Sequence, residues 1–213
     1  MHADSSRNYP VPSVRRLPLY LRLLRELRSQ GRETISCTHI AESLGLGIVQ
    51  IRKDLAMTGI VGRPKVGYFV HDLINAIESF LGWTKTTDAV LVGAGSLGSA
   101  ILGYDEFRSH GLRIVAAFDA APEKIGRHVR GVKILAMGEL PERVAQTGAR
   151  IGIVTVPAMA AQEVAESLIL AGIRAVWNFS PATLEVPARL VVENVRFVDS
   201  LAVLSQRLCQ IDD

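Results

Sequence analysis

The run VLVGAGSLGSAIL at 90–102 leaves little freedom to a chain that contains it. Gly93, Gly95 and Gly98 have the spacing G-x-G-x-x-G, directly after the apolar segment AVLVG (89–93) and at the start of a helical pattern. Each glycine answers a separate steric demand of a strand, turn and helix. Gly93 permits the tight turn, Gly95 leaves the backbone bare, and Gly98 lets the helix meet the strand. Three glycines at this spacing are common by chance, so the context carries the weight. Here the next apolar run, RIVAAFD (113–119), ends in Asp119, 21 residues after Gly98, as a βαβ unit requires.

The alternation continues along the chain. VKILA (132–136), IGIVTV (151–156), RAVWNF (174–179) and RLVVENV (189–195) read as further short strands, with the helix AAQEVAESLILAG (160–172) before RAVWNF. Continuous Val/Ile runs bounded by helices predict a parallel sheet covered on both faces. Phe197, Leu201, Leu204, Leu208 and Ile211 then recur at helical spacing and predict a closing amphipathic helix.

The residues before this sheet have a different period. After a first dozen that read as a loose arm with Pro10 and Pro12, Leu17, Tyr20, Leu21, Leu24 and Leu27 mark one face of a helix ended by Gly31. A second helix is expected from about Thr38, with Ile40, Ala41 and Leu44 inward and a turn at Gly45; a third begins near Ile48. On that third helix Ile48, Ile51 and Leu55 share a face, Gln50, Lys53 and Met57 lie opposite, Arg52 sits at the edge and Asp54 at the rim. Helix, glycine turn and helix with a polar outer face is the helix-turn-helix pattern. GIVGRPKVGYFV comes next and suits the wing of a winged helix, with Arg63 and Lys65 at its tip; a short helix, 73–81, leads out.

Fold class is therefore α/β: a winged-helix domain over 1–84, a Rossmann-like parallel-sheet domain over 85–196, and a C-terminal helix over 197–213. Charge follows the same division. Residues 1–84 hold 11 Lys/Arg and 7 Asp/Glu, whereas 85–213 hold 13 and 14, so the front carries +4 and the back −1. A basic front suits a phosphate-facing module, since Lys and Arg displace counterions from nucleic acid. Gln50, Arg52 and Lys53 are the candidates for reading base edges in the major groove, with Arg63 and Lys65 for the minor groove or phosphate.

Composition excludes other classes. No apolar run reaches the ~20 residues that span a bilayer, and MHADSSRNYPVPSVRR has no signal-peptide core, so a cytoplasmic location and no membrane partner are expected. Cys37 and Cys209 have neither zinc nor disulfide spacing, so no metal is expected.

At a glycine turn of this kind the helix N-terminus stabilises a pyrophosphate, and an acid at the next strand end accepts hydrogen bonds from ribose hydroxyls. Gly93, Gly95, Ser96, Leu97, Gly98 and Asp119 are thus expected to bind a dinucleotide. The charge of Asp119 repels a 2′-phosphate and favours NAD(H). In an open parallel sheet ligands lie beyond the carboxyl ends of strands, which places Thr155, Val156, Pro157 and, in WNFSP, Asn178 beside the nicotinamide. No His, Lys or Tyr ends a later strand to serve as a proton donor. His39 falls in the helix-turn-helix, His71 after the wing, His110 before the second strand, His128 in a polar connection and His2 in the arm. The pocket reads as a sensor, with no catalytic residue.

Taken in order, AESLGL…IRKDL, VGYFV, LVGAGSLGSAILGY, AAFDAAPEKIG, TVPAMAAQEVAE, AGIRAVWNFSP and VPARLVVENV resemble the Rex family of redox-sensing repressors, from about Arg16 to Leu208. The resemblance implies a homodimer whose winged helices bind a palindromic operator and whose Rossmann domains read the NADH/NAD⁺ ratio, NADH releasing the DNA. It implies that the C-terminal helix is swapped between subunits and that Phe197 approaches the other subunit's nicotinamide pocket. It also implies a switch contact: in many members an acid after ENV pairs with an Arg of the first helix and the Tyr after the glycine turn. Here Arg22 and Tyr104 are present, but the acidic position is Arg196, so that contact should be absent or rewired. The wing departs too: GRPKVGY interrupts the family's basic pair with Pro64 and places Lys65 where the family has glycine, which should redirect the tip.

The reading that results is a dimeric NADH-responsive repressor. Its rivals are an NAD-dependent dehydrogenase with an appended helical domain and a divergent paralogue whose DNA binding ignores NADH.

Overall fold

The computed structural model describes residues 9–212. The chain divides into two compact units, Met1–Lys85 and Thr86–Asp213. The expected arm, with His2, lies largely outside the described residues, and its last positions are helical instead of loose. Helix α1 (Val11–Ser29) begins with Pro12 in its first turn, where a missing N–H forfeits no helical bond.

In the first unit, α1 is followed by β1 (Thr34–Ile35), α2 (Cys37–Leu44), α3 (Ile48–Ala56), β2 (Tyr68–Phe69) and α4 (Val70–Phe80). The predicted stripe of α1, Leu17, Tyr20, Leu21, Leu24 and Leu27, is its buried face. The Ser36 hydroxyl caps α2 by accepting from His39 N at 3.1 Å, and Gly45 closes it at φ 63°, which sets the turn into α3. β1 and β2 pair antiparallel, Thr34 with Phe69 and Ile35 with Tyr68, and tie the chain before α2 to the chain after α3. The final helix starts three residues earlier than 73–81, at Val70, because Val70, Leu73, Ile74 and Ile77 all enter one core with α1.

Helix α3 departs from its predicted wheel. Ile51 and Leu55 are fully buried, but Ile48 keeps 36% of its surface, and Asp54, expected at the rim, is 1% exposed. Arg16 grips this carboxylate with two prongs, Nε to Oδ2 at 2.7 Å and Nη2 to Oδ1 at 2.8 Å, while Tyr20 Oη donates to Oδ2 at 2.6 Å. Burial by itself raises a carboxyl pKa. Here hydrogen bonds from Arg16, Tyr20 and Ser13, with the Arg16 charge, outweigh it and hold Asp54 below its ordinary value. Burial and the neighbouring carboxylate push the Tyr20 hydroxyl up.

The second unit contains β3 (Thr87–Val92), α5 (Ser96–Leu102), α6 (Glu106–Ser109), β4 (Leu112–Asp119), β5 (His128–Val129), β6 (Val132–Ala136), a 3₁₀ turn (Met137–Glu139), α7 (Leu140–Thr147), β7 (Ile151–Val154), α8 (Ala158–Leu170), β8 (Ala175–Asn178), β9 (Val191–Asn194) and α9 (Phe197–Asp212). The sheet order is β5-β6-β4-β3-β7-β8-β9, with β5 antiparallel and every other pairing parallel. Numbered by themselves, the parallel strands run 3-2-1-4-5-6, the doubly wound Rossmann order, which reverses between β3 and β7.

In this unit α6, β5, the 3₁₀ turn and α7 lie outside the sequence expectation, and in the first unit β1 does. β5 holds His128 in a short edge strand instead of a polar connection, too brief for period-2 alternation to register. Helix α7 shows only Leu140 and Val144 as buried positions, one turn apart, which is too few for a stripe. Helix α9 is present as expected, and all its side chains from Phe197 to Ile211 are exposed within the chain.

Arg16→Met should destabilise the first unit by about 3 kcal/mol at pH 7, because it strands a buried carboxylate. The sign with pH is set by the lowered Asp54 pKa. Its contribution is complete above the unfolded carboxyl value of about 4 and disappears as pH falls through the lower folded value. Urea unfolding from pH 7 to pH 3 should therefore show the gap between wild type and variant closing, and a constant gap would mean that the ion pair contributes nothing.

Candidate functional site

The glycine turn lies at the reversal of strand order, where β3, β4 and β7 end side by side. Gly93 takes φ 104°, and a Cβ there would stand 2.7 Å from Thr155 O. At Gly98 a Cβ would meet Gly93 O at 2.0 Å, so α5 can approach the strand end only without a side chain. The Thr155 hydroxyl donates to Gly93 O at 2.8 Å and lies 3.1 Å from Val92 O, bracing the turn from β7. Gly95 faces open space, with nothing within 4 Å of where a Cβ would project, and Ser96 stands at the start of α5. The first amides of a helix have no intrahelical acceptor, so this end can receive an anion.

Asp119 closes the other side. Its Oδ2 accepts from Ala94 N and from Lys124 Nζ, each at 2.8 Å, and its Oδ1 accepts from Ala121 N at 2.9 Å. Burial opposes ionisation, but the hydrogen bond from Lys124, the amides of Ala121 and Ala94 and the Lys124 charge hold the carboxyl below its ordinary value. The carboxylate thus locks the turn to β4 and remains charged. Sequence reasoning does not single out Lys124; its only signal is a cation five residues beyond the strand-ending acid.

The structure gathers Gly93, Gly95, Ser96, Leu97, Gly98, Asp119, Thr155, Val156 and Pro157 at one end of the sheet. Asn178 is different. It is fully buried, donating to Ala182 O and Asn194 Oδ1, each at 2.9 Å, and accepting from Ser180 N and Ser180 Oγ. All four of its hydrogen-bonding capacities are used, so it ties β8 to β9 and has none left for a ligand. Phe197 opens α9 at 62% exposure. A separate groove of about 580 Å³ is lined by the amino-terminal half of β4 and by α7 and does not include the glycine turn.

Of the expected switch residues, Tyr104 donates to the neighbouring Glu106, and its ring stacks edge-on with Phe107 at 4.7 Å. Arg196 donates to Thr183 Oγ1 at 3.1 Å. Arg22 is exposed on α1.

In the first unit Gln50, Arg52 and Lys53 are exposed on α3. The wing is a closed turn: Val66 N donates to Arg63 O at 3.2 Å, and Arg63 and Gly67 exchange bonds of 2.7 and 2.9 Å. Pro64 occupies the position whose φ a type II turn fixes, and Lys65 takes the left-handed position at φ 64°. Pro64 therefore shapes the tip that it was expected to redirect. Lys65 stands at this tip, whereas the Arg63 guanidinium lies 4.6 Å above the Phe69 ring at its base.

A family model described as "CoA binding domain" matches residues 84–182, and one described as "Putative DNA-binding protein N-terminus" matches 8–56. The redox-sensing transcriptional repressor Rex of Treponema denticola is 47% identical over 194 residues, covering 91% of this chain and 92% of that protein. The Bacteroides fragilis repressor of the same name is 40% identical over 207 residues, covering 97% and 94%. The chain belongs to the Rex family.

Solved structures agree. RSP in complex with β-NAD⁺ and operator DNA superposes with TM-score 0.91 at 36% identity, covering 97% of this chain and 95% of that one. RSP in complex with β-NADH gives 0.87 at 35%, covering 97% of each. The relatives are named as repressors, which favours the regulator over the dehydrogenase. Among the described residues Lys65 and Arg130 are the non-glycine residues in the left-handed region, and in the first unit the strain falls on the tip lysine. A residue with a Cβ in the left-handed region loses roughly 1–2 kcal/mol that glycine does not. Lys65→Gly should therefore stabilise the first unit by about 1 kcal/mol in urea unfolding; a destabilised variant would show that Lys65 makes a compensating contact.

Proposed function

We propose that this Rex-family chain is a dimeric, cytoplasmic transcriptional repressor that binds a palindromic operator when NADH is scarce and releases it when NADH accumulates. The observation that carries the reading is the presence in one chain of an exposed Gln50, Arg52, Lys53 helix face and a braced glycine turn with an ionised acid beside it. The RSP complexes with operator DNA, NAD⁺ and NADH support it. Among the described residues no helix is long and apolar enough to cross a membrane.

Asp119 is proposed to accept from the adenine ribose hydroxyls, which leaves no room for the negative phosphate that NADP(H) or coenzyme A carries on that ribose. The Lys124 charge offsets part of this repulsion and keeps the acid ionised. Val156, Pro157 and Phe197 supply the apolar end for the nicotinamide, where an uncharged NADH ring is favoured over the cationic ring of NAD⁺. Helix α9 is the proposed dimer element. Its exposed Leu201, Leu204, Leu208 and Ile211 form a stripe that a second subunit would cover.

A ligand shifts a two-state equilibrium only through unequal affinity; inverting a 1:99 population takes about 5.5 kcal/mol of difference. NADH must therefore bind the DNA-released arrangement far more tightly than the DNA-bound one. Arg196 removes one acid from the contact the family uses for this bias, and the dehydrogenase rival has no observation in its favour. A paralogue insensitive to NADH is the second reading, motivated by Arg196 and its bond to Thr183.

Selection of duplexes from a random library, at fixed salt without nucleotide, with NAD⁺ and with NADH, should enrich a dyad-symmetric site that is lost only with NADH; a site retained in all three samples favours the insensitive paralogue. Asp119→Ala should weaken NADH about tenfold or more, as expected for hydrogen bonds to a charged acceptor, in a fluorescence titration. Since its pKa is lowered, that contribution should be flat from about pH 5 to 9, well above the ordinary carboxyl range, and a fall within this window would assign the titration to another group.

A further inference from the structure

We propose that Val49, the second residue of the candidate DNA-reading helix, is a specificity-determining residue that packs against the C5-methyl group of a thymine in the operator. The inference rests on the DNA-binding reading above and adds one base contact to it.

Helix α3 (Ile48–Ala56) buries Ile51, Asp54 and Leu55. On a helix that advances about 100° per residue, the side chains opposite the buried face are those a groove meets first. With Ile48, Ile51 and Leu55 inward, as the apolar pattern alone suggests, Lys53 would stand at the centre of the outward face. Instead Ile48 is exposed, and Asp54 is buried against Arg16 and Tyr20, so the inward face is turned toward Asp54. The residue opposite the centre of the buried set is then Val49. Lys53 and Ala56 come next, and Arg52 and Gln50 stand on either flank.

Val49 is 66% exposed, and Gln50, Arg52 and Lys53 around it are exposed as well. A single exposed apolar side chain is ordinary on a protein surface and by itself points to nothing. Position sets this one apart. It lies in the middle of a polar, cationic face, and in the first turn, the part of a recognition helix that meets base edges. Local preference does not account for it either, since valine is a poorer helix former than alanine, glutamine or lysine.

The chemistry of the side chain selects its partner. A β-branched residue in a helix keeps one preferred χ1 rotamer, so its methyl groups hold their direction and lose little freedom on contact. The rotation of the helix that aims them is fixed by the bonds from Arg16 to Asp54. Valine offers no donor and no acceptor. In the major groove the one apolar group on any base is the thymine C5-methyl. Against the polar edges of guanine, adenine or cytosine, valine would displace water without replacing the hydrogen bonds that water made.

The test starts from the site that the wild-type chain selects. Failure to select any site would refute the DNA-binding reading itself, and with it this inference. In the selected site each thymine is replaced singly by uracil, which removes the C5-methyl and leaves the pairing and O4 unchanged. Affinities are measured at fixed salt for wild type and Val49→Ala. The position is exposed and alanine is the better helix former, so the variant should fold, which its circular dichroism melt checks. At one thymine of each half-site, uracil should weaken wild type roughly three- to fivefold, the scale of one buried methyl group, and should leave Val49→Ala unaffected. A selected site without thymine, a wild type indifferent to every uracil, or uracil penalties equal in the two proteins would overturn the proposal while leaving the DNA-binding reading in place.

Discussion

At the end of β3 the backbone of α5 comes so near the strand that a Cβ on Gly98 would stand 2.0 Å from the Gly93 carbonyl oxygen. Van der Waals repulsion forbids that approach to every residue but glycine, and the arrangement of the second unit depends on it. With α5 seated there, its free amides open at the sheet edge. The same carbonyl receives the Thr155 hydroxyl from β7, and Asp119 from β4 takes the amide of Ala94 within the turn. Three strands thus meet at the reversal of the doubly wound order, the place where such a sheet leaves a crevice for a ligand. Asp119 stands at that crevice and holds the fold together: its bonds to two amides and Lys124 keep it charged.

A buried charge plays the corresponding part in the first unit. Apolar contacts among α1, α3 and α4 drive their association but are non-directional and tolerate rotation of a helix about its axis. The two-pronged bond from Arg16 to Asp54 does not. It fixes the rotation of α3 against α1, and so fixes which of its side chains face outward. The exposure of Gln50, Arg52 and Lys53 depends in this way on an anchor set into the neighbouring helix.

The two departures from the family pattern, in the wing and at Arg196, have a local physical account, and so has the retained Tyr104. Pro64 and Lys65 build a tight type II turn in the wing, with the strain carried by Lys65 in the left-handed region. Tyr104 turns to Glu106, two residues along its own chain, and Arg196 to Thr183. In the last two cases a polar side chain finds its partner within a few residues or across one loop.

Much of this is legible in the sequence because periodicity and glycine spacing are local. The stripe of α1, the strand β6 over 132–136, the glycine turn and the strand-ending Asp119 each arise from residues a few positions apart, whose side-chain directions are dictated by helix or strand geometry. Short elements are not legible: β5 has two residues and α7 two buried positions, fewer than a period needs. Nor are roles that depend on partners distant in the chain. Asp54 reads as a rim residue because its helix wheel cannot show Arg16, 38 positions earlier. Asn178 reads as a cofactor contact because its place at a strand end cannot show Asn194 and Ala182 consuming its amide. The sequence by itself determined the two folds and the location of the nucleotide turn, since those rest on local sterics. Tertiary structure alone decided which polar side chains stay free to act, because a hydrogen-bonding group is committed or available only according to what the rest of the chain brings within reach.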